Sequence, residues 1–294
     1  MAVDLGRRPT PVGVRGTLVL SFVAAALLAA WQLDLSLGEL VPGQGGLQIA
    51  KEFFTAAFAP ALDYQTKEPL TGAPPLLWKA VVGAWNTLVF ATAAMSLSVV
   101  FGLLLGFFAA TSWWAGDPEG AHSSWLRFLR RAVMPTVYGV TRVVIAVLRS
   151  IHELMWATIF LAGFGLNEFT GVIAITLPYT GTLAKVFSEM VDEAPRDAAH
   201  AMRNAGASPL QVFLFGLVPR ALPDMSAYAF YRYECALRSS AILGFFGLQT
   251  LGSHIKLSFN ETYYGEVWTY IYALFVLIVV FDWWSGALRK RFVA

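Results

Sequence analysis

The chain has 294 residues, 57% of them hydrophobic and only 14% charged, with a mean hydropathy of +0.59. Soluble domains carry about a quarter charged residues, so this composition excludes an ordinary soluble fold. The 21 basic and 19 acidic residues nearly cancel, which argues against a nucleic-acid or polyanion binder, and the single cysteine, Cys235, excludes an internal disulfide and a multi-cysteine metal site.

A bilayer core of about 30 Å needs about 20 mainly apolar residues per helix, because lipid pairs with no backbone polar group. Segments of that kind recur along the chain. Gly16 to Leu33 is apolar behind Arg7, Arg8 and Arg15. A cleaved signal peptide shares that basic front, but this apolar core is long and ends in Trp31-Gln32-Leu33 without a clear cleavage site, so a retained helix is expected. In the outer segment that follows, Gln48 to Leu62 reads as an amphipathic helix on the membrane surface. Phe53, Phe54, Ala57 and Phe58 share one of its faces at helical spacing.

Ala80 to Gly116 contains no charged residue and forms the second span. Residues 125–149 hold Arg127, Arg131, Arg142 and Arg149, each costing about 2.5–3.5 kcal/mol at the centre of a membrane helix. That stretch reads as a basic amphipathic helix leading into a third span at Ser150 to Leu166. The fourth span covers Phe169 to Met190, the fifth Asp224 to Leu251 and the sixth Val267 to Trp284. Tyr263, Tyr264 and Trp268 open the last one, and Trp283 and Trp284 close it, as interfacial aromatic belts do. The arginine clusters (Arg7, Arg8, Arg15; Arg127, Arg130, Arg131; Arg196, Arg203, Arg220; Arg289, Arg291 with Lys290) fall on one side if there are six spans. Lys51, Lys67, Lys79 and Lys256 fall on the other. The positive-inside rule then puts both termini in the cytoplasm. Two regions result: 1–79, a helix plus outer segment, and 80–294, a transmembrane domain.

The connection from Asp192 to Pro223 is the most informative stretch. Asp192, Glu193 and Pro195 suit a helix N-terminus; Arg196 to Ala205 is helix-forming and Gly206 stops it. Ser208-Pro209-Leu210-Gln211 restarts a helix as a capping box, and Pro219 and Pro223 bracket the entry to the fifth span. A short rigid helix at about 195–206 thus projects between two turns, a shape that suits docking into a partner's groove.

This stretch resembles the coupling motif of ABC importer permeases: Glu-Ala-Ala, three residues, Gly, nine residues, then Ile-x-Leu-Pro. Ala201, Gly206 and Pro219 match, while His200 stands at the glutamate position, Met202 at the second alanine and Gly216 at the isoleucine. Two further tracts narrow the resemblance to the phosphonate-type (PhnE-like) permeases. Tyr231 to Gly244 is similar to their Tyr-Arg-Phe-Glu-x-x-Ile-Arg-Ser-Ala-x-x-Leu-Gly signature. Arg149 to Ala157 is similar to their Arg-x-Ile-Pro-Glu-Leu-x-Trp-Ala segment, with His152 in place of proline.

The resemblance implies an all-α integral membrane protein with a type I importer (MetI-like) core of about six transmembrane helices. It implies a bacterial inner-membrane location and a pore of two copies of this chain. An ABC ATPase dimer would grip the coupling helix through Asp197, His200, Ala201, Arg203, Gly206 and Pro219, and an extracytoplasmic solute-binding protein would deliver the solute. No cofactor is implied in this chain; ATP and Mg belong to the partner ATPase. The implied cargo is a phosphonate or a related oxyanion such as phosphite or phosphate. An ABC permease for another small solute such as an amino acid, or an ATPase-independent secondary transporter, is the alternative.

Arg232, Glu234, Arg238 and Ser239 lie early in the fifth span on this reading. Ionisable groups inside a membrane face protein or a water-filled path, so they either line a path that attracts an oxyanion or stitch helices together. Lys185 and Glu189, four apart, can pair on one face, and Glu153 is expected to meet one of them or an arginine. Gly102 and Gly106 permit a close helix contact. Catalytic signatures fail. His122, His152, His200 and His254 lack metal-ligand spacing, and Trp156 stands where a His152-Glu153 zincin would need its second histidine. No Gly-x-x-x-x-Gly-Lys loop or Gly-x-Ser-x-Gly elbow occurs, so a non-catalytic subunit is expected.

Overall fold

The computed structural model describes residues 13–34, 38, 43–66, 72–111 and 133–293. Arg7, Arg8, Lys67, His122, Arg127, Arg130 and Arg131 lie outside the described residues. All regular structure among the described residues is helical. The chain divides into two compact units, residues 1–55 and 56–294. In the first, α1 spans Val14–Gln32, with Leu18, Phe22 and Leu27 exposed, as lipid-facing side chains are. Helix α2 spans Gln44–Ala57. It ends sooner than the expected Leu62, with Ala59 turning back on the Ala56 carbonyl and Pro60 beyond, so Phe58 lies past its end.

The second unit is built on α3 (Leu76–Ala109) and α6 (Glu168–Glu193). They approach closely because α3 presents glycines. A Cβ on Gly102 would stand 2.9 Å from Leu183 Cβ, and one on Gly106 would stand 3.2 Å from the Ala184 carbonyl oxygen. Two of their buried hydroxyls are satisfied by helix carbonyls: Ser98 donates to Ala94 and Thr176, and Thr176 donates to Val172, whereas Thr180 Oγ1 has no partner among the described residues. A buried hydroxyl without such a partner would be costly in lipid.

The third span is corrected. Helix α4 (Met134–Ser150) stops at Ile151 and His152, both extended, and α5 (Glu153–Phe164) leaves at a 91° bend. Twelve residues reach only about 18 Å, so α5 cannot cross alone. The bend is capped locally, with His152 Nδ1 accepting the Leu154 amide at 3.3 Å. Helix α4 packs on α6 at Gly181, where a Cβ would meet Leu148 Cβ at 2.8 Å and the Arg149 nitrogen at 2.9 Å. Its Arg142 donates to the Ala109 carbonyl at the C-terminus of α3, where positive charge is favoured by the helix dipole.

After α7 (Asp197–Asn204) the chain re-enters through a turn at Pro209–Gln211 and a π-helical segment at Val212–Leu217 into α8 (Val218–Leu243). The fifth span therefore begins before Asp224, with Pro219 in its first turn and Pro223 inside it. It also ends before Leu251. A separate helix, α9 (Leu251–Asn260), folds back across its end, and α10 (Tyr264–Val293) closes the unit. The α8–α9 crossing is extremely tight: a Cβ on Gly252 would lie 1.9 Å from the Ala241 carbonyl oxygen.

Three helices, α1, α3 and α10, are long and apolar enough to cross a membrane on their own among the described residues, and the bent α4–α5 pair passes jointly. Helices α6 and α8, at 26 residues each, are about 39 Å long, but threonines in one and charges in the other dilute their apolar character.

Ahead of α3, Gln65 and Glu266 exchange hydrogen bonds (Gln65 N to Glu266 Oε1, 2.7 Å; Glu266 N to Gln65 Oε1, 3.1 Å), which straps residues 61–66 onto the start of α10. His254 of α9 stacks on Tyr270 with ring centroids 5.3 Å apart, and burial, with Lys79 adding to it, pushes its pKa down to about 4.

Candidate functional site: a projecting helix and a charged cluster

The expected docking helix forms as α7. Helix α6 terminates at Ala194, and Pro195, which has no amide to give, stands outside both helices rather than in the first turn of the next. Arg196 occupies the N-cap and donates to the Asp192 carbonyl at 3.2 Å. Asp197 lies in the first turn and Arg203 in the last, each complementing the helix dipole. Gly206 ends the helix with φ +82°. Its amide reaches Arg203 O at 3.0 Å, and the Ala207 amide reaches Met202 O at 3.0 Å. The capping box then closes reciprocally, Ser208 N to Gln211 Oε1 at 2.8 Å and Gln211 N to Ser208 Oγ at 3.3 Å.

One face of α7 is seated and the other is exposed. Ala199 is buried and Met202 half-buried against Gly216 of the π-helical segment, where a Cβ would stand 3.2 Å from Met202 Sδ and 3.5 Å from Ala199 Cα. Asp197, His200, Ala201, Arg203 and Gly206 are exposed. Pro219 is exposed too but lies off this helix, in the first turn of α8. Its effect is local. Proline has no amide for the Phe215 carbonyl, and the Val218 amide reaches back to Phe213 rather than Leu214, which widens the turn into a π-helix.

Because α8 starts at Val218, Arg232, Glu234, Arg238 and Ser239 fall in its middle and second half rather than early in the span. Arg238 Nη2 meets Glu234 Oε1 at 3.2 Å one turn away on the same helix, so this pair does not join helices. The arginine side chain is 52% exposed. Ser239 does link helices: its Oγ donates to Glu153 Oε1 at 2.6 Å, at the start of α5, and shares a 3.0 Å hydrogen bond with the Tyr179 hydroxyl of α6. Arg232 lies over the Tyr179 ring, 4.8 Å from its centroid, with its Nε buried and without a hydrogen-bond partner.

Glu153 therefore meets neither Lys185 nor Glu189, which pair with each other at 2.6 Å on α6. The cluster has two members beyond those read from the sequence, Glu153 as Ser239's acceptor and Tyr179. Glu153 was visible as an acid at a helix start. Tyr179 lies in an apolar stretch after Pro178 and carries no signal of its own.

The model of the family described as "Binding-protein-dependent transport system inner membrane component" matches residues 70–294. The chain belongs to that family. This permease is 34% identical over 210 residues to the phosphite transport system permease protein PtxC of Stutzerimonas stutzeri, covering 70% of this chain and 69% of the relative. It is 28% identical over 156 residues to the phosphate-import permease protein PhnE of Mycolicibacterium smegmatis, covering 53% of this chain and 29% of that relative. Its fold matches the inward-facing MetNI methionine ABC transporter with a TM-score of 0.59 at 19% identity, over 75% of this chain and 99% of that one. It is a membrane component of a binding-protein-dependent transport system with a MetI-like helical core.

Proposed function

We propose that this permease is the membrane subunit of an ATP-driven importer for phosphonate or a related phosphorus oxyanion, phosphite or phosphate among them. Two copies form the pore, a binding protein delivers the oxyanion from outside, and a separate ATPase dimer binds ATP and Mg. The phosphite and phosphate relatives support the substrate class.

The observation that carries the coupling step is α7 itself. Its seated face (Ala199, Met202) rests on the segment that leads directly into α8, while Asp197, His200, Ala201 and Arg203 are exposed. A push delivered by the ATPase to the exposed face is passed through Gly216 to α8, where Arg232, Glu234, Arg238 and Ser239 line the path. The charges on α8 support that placement. An arginine as exposed as Arg238 costs about 2.5–3.5 kcal/mol against lipid at mid-membrane, so its face belongs against water or a second copy. Coexpression of the tagged permease with its ATPase, followed by purification in detergent, tests the assembly: the ATPase should co-purify, and substitution of exposed His200 by Glu should preserve the complex. Loss of the ATPase from wild-type preparations would count against the docking role.

A further inference from the structure

Helix α7 has a second connection to the helical core besides the one through Gly216 to α8. Between α6 and α7 the chain bends at Ala194, which is extended (φ −58°, ψ 142°), and Pro195, which has no amide to bond across the bend. Asp192, in the last turn of α6, spans this joint. Its carbonyl accepts Arg196 Nη2, from the N-cap of α7, at 3.2 Å. Its carboxylate reaches a third helix: Oδ2 accepts the Thr111 amide, just past the C-terminus of α3, at 3.0 Å. Packing follows the same route. Ala110, Ala194 and Ala199 are buried in one apolar cluster, and Phe107 of α3 meets Phe213 of the π-helical segment edge to face, with centroids 4.8 Å apart.

Helix stability does not account for an acid at this point. The last turns of α6 and α3 both end in carbonyls carrying partial negative charge, against which a carboxylate is unfavourable. Arg142, donating to the Ala109 carbonyl, already gives the end of α3 the cation that such a terminus favours. What the Asp192 carboxylate adds is a directional bond between helices, of the charge-assisted kind that is roughly twice as strong as a neutral one.

We propose that Asp192 is a positioning residue of the coupling step. It locks the joint between α6 and α7 to the end of α3, so that a displacement of α7 is delivered to the closely packed α3–α6 pair as well as to α8. Without the lock, bending at Ala194-Pro195 absorbs part of it. This rests on the reading of α7 as the helix that the ATPase grips.

The test uses the complete importer, permease with its ATPase and binding protein in proteoliposomes. The readout is radiolabelled inorganic phosphite moved per ATP hydrolysed. Asp192→Ala removes the carboxylate without weakening α6, because alanine is the better helix former. Thr111→Pro removes the amide and leaves the acid in place; the exposed position and the extended Ala110 before it (ψ 135°) accept a proline. A hydrogen bond to a charged acceptor corresponds to about tenfold or more in the locked population. Each variant should therefore move about tenfold less phosphite per ATP, with the ATPase still co-purifying and hydrolysing. Asp192→Asn keeps an acceptor oxygen and should restore most of the coupling. The double variant should be no worse than either single one, since both remove the same bond. Wild-type stoichiometry in Asp192→Ala, an Asn variant as impaired as Ala, or a double variant impaired by the product of the two would overturn the inference and leave α7 as the docking helix. Failure of the wild-type permease to retain its ATPase would overturn both. Should Asp192→Ala not assemble, Thr111→Pro decides, and wild-type stoichiometry there refutes the lock.

Discussion

Substituting Gly206 isolates the backbone contribution to coupling. Its φ of +82° is a left-handed conformation, and a Cβ added there meets nothing within 4 Å. Any penalty is therefore conformational and not steric. An L-residue in this region costs about 1–2 kcal/mol, with β-branched side chains at the upper end and asparagine nearly exempt. Since about 1.4 kcal/mol is tenfold in an equilibrium, Gly206→Val should cut the population of the ordered α7 terminus about tenfold or more, Gly206→Ala less, and Gly206→Asn little. In proteoliposomes containing the full importer, solute moved per ATP hydrolysed should fall in the order Asn, Ala, Val, with ATPase binding retained. A Val variant with wild-type stoichiometry, or an Asn variant as impaired as Val, would refute the reasoning.

Arg238→Gln should abolish oxyanion uptake while the ATPase still co-purifies, checked by transport and pull-down on the same preparation. Gly252→Ala cannot be accommodated without moving α9, because its Cβ would stand 1.9 Å from Ala241 O; overpacking of this kind costs about 1–3 kcal/mol or more, read as a lowered Tm in detergent. His254, held down to about 4 against an ordinary 6.5 by burial, stays neutral in the fold while the unfolded chain takes up a proton below pH 6.5. Its stability contribution is therefore complete above pH 6.5 and is lost as pH falls toward 4, and thermal melts of His254→Phe over that window should be flatter than wild type. Lys185→Met should change Tm only slightly, since a pair whose members are 35% and 43% exposed contributes no more than about 1 kcal/mol.

Much of this was legible in the sequence because it is encoded locally. The α7 stop at Gly206, the Ser208–Gln211 capping box and the Lys185–Glu189 pair all depend on residues within a turn or two of each other. The misread parts depend on distant neighbours. The break at Ile151-His152 lies where the sequence reads as a basic amphipathic helix leading into the third span at Ser150, and nothing in the local pattern marks the 91° bend there. Helix α9 and its crossing over Gly244 and Gly252 lie in what looks like the tail of the fifth span. Prolines 219 and 223 suggested a boundary, but a helix tolerates them when the turn ahead widens into a π-helix. Ser239 was found, but its partners Tyr179 and Glu153 come from sequence 60 and 86 positions away, and no periodicity links them.

The central claim is that solute movement through this permease is driven from α7 by a separate nucleotide-hydrolysing subunit. Phosphite uptake into vesicles, measured with the binding protein present and with the ATPase and ATP either supplied or withheld, tests it directly. Accumulation should occur only with both supplied. Accumulation by the permease without the ATPase would contradict the account.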